Sequence, residues 1–220
     1  MCNELAFRFI FLTLLLLTLG LRLYYKQRSN THLTRGVSPH RWKALAHTEG
    51  KGRTILWALG MGLTWIAMIL YLVALPQLSW TQLPFPEWLR WLGVSLCLGA
   101  IPFLVWVHRT LGKHWKTTLK VAQDHSLVTS GPYRRVRHPM YTVLITFNIG
   151  LSLISANLFV VIGFLLLILL TFARIPLEER MLLDQFGEEY RAYMQRTGRL
   201  LPRLRQKQPT HTLSTDPTST

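Results

Sequence analysis

Two cysteines in 220 residues, Cys2 and Cys97, are too few for a disulfide framework, and without a CxxC pair they give no sign of a redox or zinc site. Acidic side chains are scarce as well: ten Asp and Glu stand against 25 Lys and Arg, a formal net charge of +15. Charge of either sign is nearly missing from four long stretches in which the apolar half of the composition is gathered. A soluble basic protein would scatter those residues along helix and strand periods.

Leu5–Tyr25, Thr54–Leu75 and Trp88–Val107 are each about 20 residues long, enough at 1.5 Å per residue to cross a hydrocarbon core of roughly 30 Å. The fourth region, Met140–Phe172, is too long for one ordinary span and is interrupted by Ser152, Ser155 and Asn157. It reads as a tight hairpin of two short helices. The first block ends in Arg22 and Lys26 rather than a small-residue cleavage site, so it reads as a retained anchor. The expected fold is an all-α integral membrane protein of five transmembrane helices. The last two form a short hairpin, and a cytosolic amphipathic helix follows.

Charge then orients the chain. Residues 26–53 and 109–138 carry seven Lys/Arg each and residues 174–207 carry eight, whereas loop 76–87 and the hairpin tip carry none. Twenty-two of the 25 basic residues thus fall on one side, which the positive-inside rule assigns to the cytosol. Topology and attraction to anionic lipid headgroups account for most of the charge. The basic residues lack the aromatic interleaving of a single-strand groove, so no nucleic-acid partner is expected. Four parts follow: an anchor and basic loop (1–53), a helical hairpin (54–108), a region holding the second basic loop, short hairpin and C-terminal helix (109–205), and a Thr/Ser/Pro-rich tail expected to be disordered (206–220).

Polar residues concentrate in two segments that would meet at the cytosolic boundary. The first runs from His125 through Gly131-Pro132-Tyr133 to Arg137-His138-Pro139-Met140-Tyr141. Proline suits the first turn of a following helix, which makes His138 its cap. The free N–H groups of that turn, with Arg137 beside them, could seat a carboxylate or phosphate. A basic juxtamembrane loop with a proline start signal accounts for the same residues. The second segment holds Arg174, Pro176, Glu178 and Glu179, then Phe186-Gly-Glu-Glu-Tyr190 and Tyr193. Arg174 and Glu178 share a helix face at a spacing of four, which alone signals only a surface ion pair. Pro176 is expected to break the helix at the membrane edge. Leu182, Phe186, Tyr190 and Tyr193 would then form an apolar stripe on the interface, either a lid or a plain amphipathic tail helix.

Taken in order, His125-Ser-Leu-Val-Thr-Ser-Gly-Pro-Tyr133, Arg137-His-Pro-Met-Tyr141, a short apolar hairpin, Arg174-x-x-x-Glu178-Glu179 and Phe-Gly-Glu-Glu-Tyr resemble the isoprenylcysteine carboxyl methyltransferase family. Leu111-Gly112-Lys113-His114-Trp115 also resembles the segment preceding this motif in bacterial members. The resemblance covers about residues 92–202. It implies an integral membrane enzyme that uses S-adenosylmethionine without a Rossmann domain, consistent with the missing GxGxxG. By resemblance, His125, Ser126, Leu127, Val128 and Tyr133 contact the cofactor. His138, Pro139, Met140, Tyr141 and Glu178 complete its pocket, and Arg174 holds the substrate and is the catalytic residue. Ser126 stands where the family usually has Thr, which keeps the hydroxyl. A cofactor-contacting glutamine of eukaryotic members has no clear counterpart between Trp115 and His125.

The resemblance therefore implies methyl transfer to a membrane-borne acceptor, first of all the C-terminal carboxylate of an S-isoprenylcysteine. Alternatives are N- or S-methylation of another acceptor, such as phosphatidylethanolamine or a thiol. The soluble cofactor would come from the cytosol and the acceptor from the bilayer, either bacterial inner membrane or endoplasmic reticulum. A transporter or assembly factor is the rival from another class; transporters carry charge near mid-span, which these spans almost lack.

Overall fold

The computed structural model describes residues 2–31, 51–73, 76–111 and 127–203. The basic loops' central parts and the tail from 204 onward, including the expected disordered segment, lie outside the described residues. Among the described residues there are five α-helices: α1 (Cys2–Thr31), α2 (Lys51–Val73), α3 (Glu87–Leu111), α4 (Pro139–Ser155) and α5 (Leu158–Arg196). Short 3-10 helices cover Pro76–Thr81 and Gly131–Arg134. No strand occurs among the described residues, only isolated bridges.

Four of these helices, α1, α2, α3 and α5, are long and apolar enough to cross a membrane, making the chain a multi-pass membrane protein. α4 is apolar but has 17 residues, about 25 Å of rise. Large side chains such as Leu59, Leu63, Ile69, Leu98, Ile162 and Leu169 are exposed along the helices, as a lipid-facing surface requires. The core lies between α1, α3 and α4, around Phe11, Cys97, Leu104, Leu151 and Ile154.

The helical hairpin expected at Ser152–Asn157 is present. Ala156 adopts the left-handed conformation (φ 45°, ψ 38°) and its N–H donates to Ser152 O at 3.2 Å, closing the C-terminus of α4. Asn157 then caps α5: its Oδ1 accepts from the N–H groups of Phe159 and Val160 at 3.1 and 3.3 Å. Its amide also donates to Thr81 Oγ1 at 2.7 Å, fastening the preceding loop to the turn.

Two expectations are corrected. The last helix does not stop at Pro176: α5 covers Leu158–Arg196 as two helical stretches joined at Gly187, and Pro176 lies inside the first. A proline removes one helical donor, yet the helix passes through it, with Ile175 and Glu179 buried on either side. The expected amphipathic helix is therefore a continuation of the last span. Its backbone leaves helical geometry at Gly187, whose φ of 52° and ψ of −123° suit a residue without Cβ.

Helices α3 and α4 share the most extensive interface, set by two glycines. A Cβ on Gly93 would lie 2.6 Å from Gly150 O, and one on Gly150 would lie 2.5 Å from Cys97 Sγ and 2.8 Å from Gly93 O. Backbones thus approach as closely as small-residue packing allows. Helix α2 instead packs on α5, with Gly60 facing Leu166 and Leu170 and Gly163 facing Thr64. Gly60 therefore packs within the chain, whereas Gly62 faces open space. Gly150→Ala is expected to lower stability by about 1–3 kcal/mol through overpacking, and Gly62→Ala to leave it unchanged or slightly raised. Thermal unfolding in one detergent compares the two directly; equal midpoints would refute the close crossing.

Candidate active site

The two polar segments meet at the end of the bundle where α3 finishes and α4 begins. The meeting is held by Glu179, which is 4% exposed. Its Oε1 accepts from Arg137 Nε at 2.9 Å and its Oε2 from Arg199 Nη2 at 2.7 Å. His138 Nε2 lies 3.4 Å from Oε1, close but outside hydrogen-bonding alignment. The Arg137 guanidinium also donates to Met194 O at 3.1 Å and Thr197 O at 2.6 Å. Backbone bonds reinforce the join: the N–H groups of Arg137 and His138 donate to Gly198 O and Arg199 O, and Gly198 N donates to Arg135 O. Thr142 Oγ1 donates to Leu200 O at 2.6 Å. The chain after α5 thus lies as a strap across the start of α4.

That arrangement changes the reading of Arg137. All its described bonds go to protein acceptors, so it is part of the clamp and not of a ligand seat. His138 does occupy the cap position of α4, yet its side chain makes no capping bond. Its ring lies over Tyr141, centroids 5.6 Å apart and planes within 22°.

The Tyr141 hydroxyl donates to Glu178 Oε2 at 2.7 Å. Tyr133 is near enough for the Glu178 carboxylate to act on its phenol, which burial above all, and then that charge, holds above its usual pKa range. Tyr133, His138, Tyr141 and Glu178 are therefore brought together. Arg174 is half-buried one turn before Glu178 on α5. Pro139 is buried at the first turn of α4, and Met140, like Tyr133, packs against the core. Leu127 and Val128 are half-buried at the start of the described segment. His125 and Ser126 lie outside the described residues.

The stripe at Leu182, Phe186, Tyr190 and Tyr193 is only partly a surface. Tyr190 and Tyr193 are buried, and the Tyr193 hydroxyl donates to Tyr133 O at 2.6 Å. The stripe's end thus packs on protein and is not a free lid. Glu179 and Arg199 were not among the expected site residues. The signal for Glu179 is its place beside Glu178: consecutive positions on a helix differ by about 100°, so the two acids face different partners.

A polar, partly aromatic ligand suits this donor set. Glu178 offers Oε1, which no donor reaches among the described residues. The buried Tyr190 hydroxyl and His138 Nε2 also lack hydrogen-bond partners. Among the described residues no cluster of His, Cys, Asp and Glu could hold a metal ion.

Comparison with known proteins bears on the same stretch. Residues 91–184 match the family model "Isoprenylcysteine carboxyl methyltransferase (ICMT) family". The resemblance read from the motifs is borne out. Protein-S-isoprenylcysteine O-methyltransferase B of Arabidopsis thaliana is 33% identical over 96 residues, 42% of this chain and 49% of that protein. Cobalt-zinc-cadmium resistance protein CzcN of Cupriavidus metallidurans is 34% identical over 119 residues, 52% of this chain and 55% of that protein. The solved eukaryotic intramembrane Ras methyltransferase, isoprenylcysteine carboxyl methyltransferase, superposes with a TM-score of 0.51 at 25% identity, covering 74% of this chain and 61% of that one. The chain spans about half the length of the curated relatives it matches.

Glu179→Ala is expected to cost about 3–5 kcal/mol, because it leaves the Arg137 charge buried without its carboxylate. Arg199, whose side chain is 51% exposed, is worth about 1 kcal/mol or less. Melting temperatures of the two variants, with protease sensitivity of the 197–203 strap, test this ranking; equal losses would contradict it.

Proposed function

We propose that the chain is a membrane methyltransferase that transfers the methyl group of S-adenosylmethionine to the C-terminal carboxylate of an S-isoprenylcysteine. The observation that carries this reading is the convergence of Tyr133, His138, Tyr141 and Glu178 at one bundle end, one helical turn from Arg174, inside the stretch that matches the family. Residues 109–205 form the catalytic region in this reading, and the positive-inside bias of the loops supports a cytosolic site.

Bound S-adenosylmethionine would supply an electrophilic sulfonium methyl. Glu178, oriented by Tyr141, would hold the cofactor, with His125, Ser126, Leu127, Val128, Tyr133, His138, Pro139, Met140 and Tyr141 around it. Tyr133 remains a neutral phenol and contributes a face and a hydroxyl without charge. Arg174 would hold the acceptor. A C-terminal carboxylate has an ordinary pKa near 3.5 and is already ionised at neutral pH, so no general base is needed. Arg174 fixes its direction of attack, and rate comes from positioning and from exclusion of water between the helices. The cofactor reaches such a site from the aqueous side and the lipidated acceptor through the bilayer.

The second acceptor class is an amine, such as that of phosphatidylethanolamine. An amine acceptor arrives protonated and requires a base, for which Glu178 or His138 is placed.

With labelled S-adenosylmethionine and a prenylcysteine analogue, the product is expected to be a base-labile ester. Arg174→Ala is expected to reduce transfer by about a hundredfold while cofactor binding by calorimetry persists, whereas Glu178→Ala weakens the cofactor itself. Full activity in both variants would sink the assignment, and a base-stable label would move the acceptor to an amine or thiol.

A further inference from the structure

The opposite end of the bundle holds a second polar site. Only three of the 25 basic residues lie outside the three basic loops, namely Arg8, Arg22 and Arg90. Two of them, Arg8 on α1 and Arg90 on α3, line one cavity of about 290 Å³ together with Glu4, Tyr71, Ser79 and Gln82. The cavity sits where α1 and α3 begin, α2 ends and α4 turns into α5. Sixteen residues of α5 separate this turn from Arg174, about 24 Å of helix. It therefore lies about one hydrocarbon thickness from the candidate active site.

Arg90 has a structural duty: Nε donates to Ile154 O at 2.9 Å, Nη1 to Glu4 Oε2 at 2.6 Å, and its guanidinium lies 3.9 Å from the Phe7 ring centroid. That duty leaves Nη2 buried without a partner, and the buried Nε of Arg8 has no hydrogen bond either. Among the described residues, that Nε forms a long ion pair with Glu4 Oε1 at 3.5 Å, and the guanidinium lies over the face of Tyr71. Two guanidinium groups against one carboxylate leave the lining with one net positive charge. Glu87, the other carboxylate at this end, does not line the cavity; it accepts from Asn3. Buried donors without a hydrogen bond are costly, and an anion would supply one to each.

The surroundings favour a lipid source. Trp80, Trp88 and Trp91 are exposed around this end, as residues at headgroup depth are. Trp80 packs edge-on against Phe159, which also lines the cavity, as do Leu70, Leu78 and Leu83. Polar donors beside an apolar wall match a phosphodiester joined to a glycerol backbone.

We infer that this cavity binds the phosphate of a membrane phospholipid from the leaflet opposite the active site, with Arg8 and Arg90 as its ligands. Arg8→Gln is the informative variant, since Arg90 also supports the fold; Glu4→Gln, which adds one net positive charge, is its counterpart. Detergent-purified protein is titrated with phosphatidylglycerol, phosphatidylcholine, diacylglycerol and inorganic phosphate while melting temperature and lipid retention by native mass spectrometry are followed. Both phospholipids are expected to raise the melting temperature saturably, and diacylglycerol to have no effect. Arg8→Gln should raise the half-saturating concentration by about tenfold or more, and Glu4→Gln should lower it. Saturation by inorganic phosphate with no further gain from lipid would overturn the lipid source. Equal responses to diacylglycerol and phospholipid, or an unchanged titration in Arg8→Gln, would overturn the site.

Discussion

Glu179 carries the join on which the geometry around His138 depends. A carboxylate at 4% exposure is tolerated in a membrane protein only if its charge is met, and here two guanidinium groups meet one oxygen each. The consequence is positional. Arg137 reaches Glu179 across 42 residues of sequence and binds the carbonyls that end α5. The start of α4 and the end of α5 are therefore one object, and Tyr141 meets Glu178 one turn inside it. Without the clamp, a long helix emerging from the bilayer would have no fixed relation to the loop that begins the hairpin.

The bilayer imposes the rest. Backbone groups in the apolar region must be satisfied within the helices, so the tight reversal at Ala156–Asn157 needs a left-handed residue, an asparagine cap and a second strap from Thr81. Hydrophobic burial cannot draw helices together in lipid. Close approach at Gly93 and Gly150 supplies contact by backbone proximity instead. Helix α4, the shortest of the five, packs against the longer α1, α3 and α5.

Much of this was legible because the bilayer converts composition directly into structure. Three blocks of about 20 apolar residues became α1, α2 and α3, and the Ser152–Asn157 interruption became the turn. The Arg174/Glu178 spacing survives because four residues share a face in any helix. What failed was reading local rules without their partners. Pro176 looks like a break from its own chemistry, but the helix passes through it, with buried neighbours at 175 and 179. Arg137 looks free beside a helix start because its partner, Glu179, is remote in sequence. Gly187, one glycine among 14, gives no hint that it takes a non-helical conformation within α5. Tyr190 and Tyr193 fit an interfacial stripe equally well, and only the Tyr193 bond to Tyr133 O shows that they face protein.

Positive charge therefore does three separate jobs in one chain. The loop residues are the ones whose one-sided count the positive-inside rule reads as orientation. Arg137 and Arg199 act at short range, where burial makes a single carboxylate decisive for position. Arg8 and Arg90 belong to neither group. They stand on the side that the positive-inside bias leaves nearly empty of lysine and arginine, so orientation gains nothing from them. Their cost in desolvation is offset locally by Glu4, Ile154 O and two aromatic faces, and that compensation is incomplete by two buried nitrogens. A net-charge count merges all three populations. Only the partner of each guanidinium separates the charge that sets topology from the charge that builds the site, and both from the charge left facing a cavity.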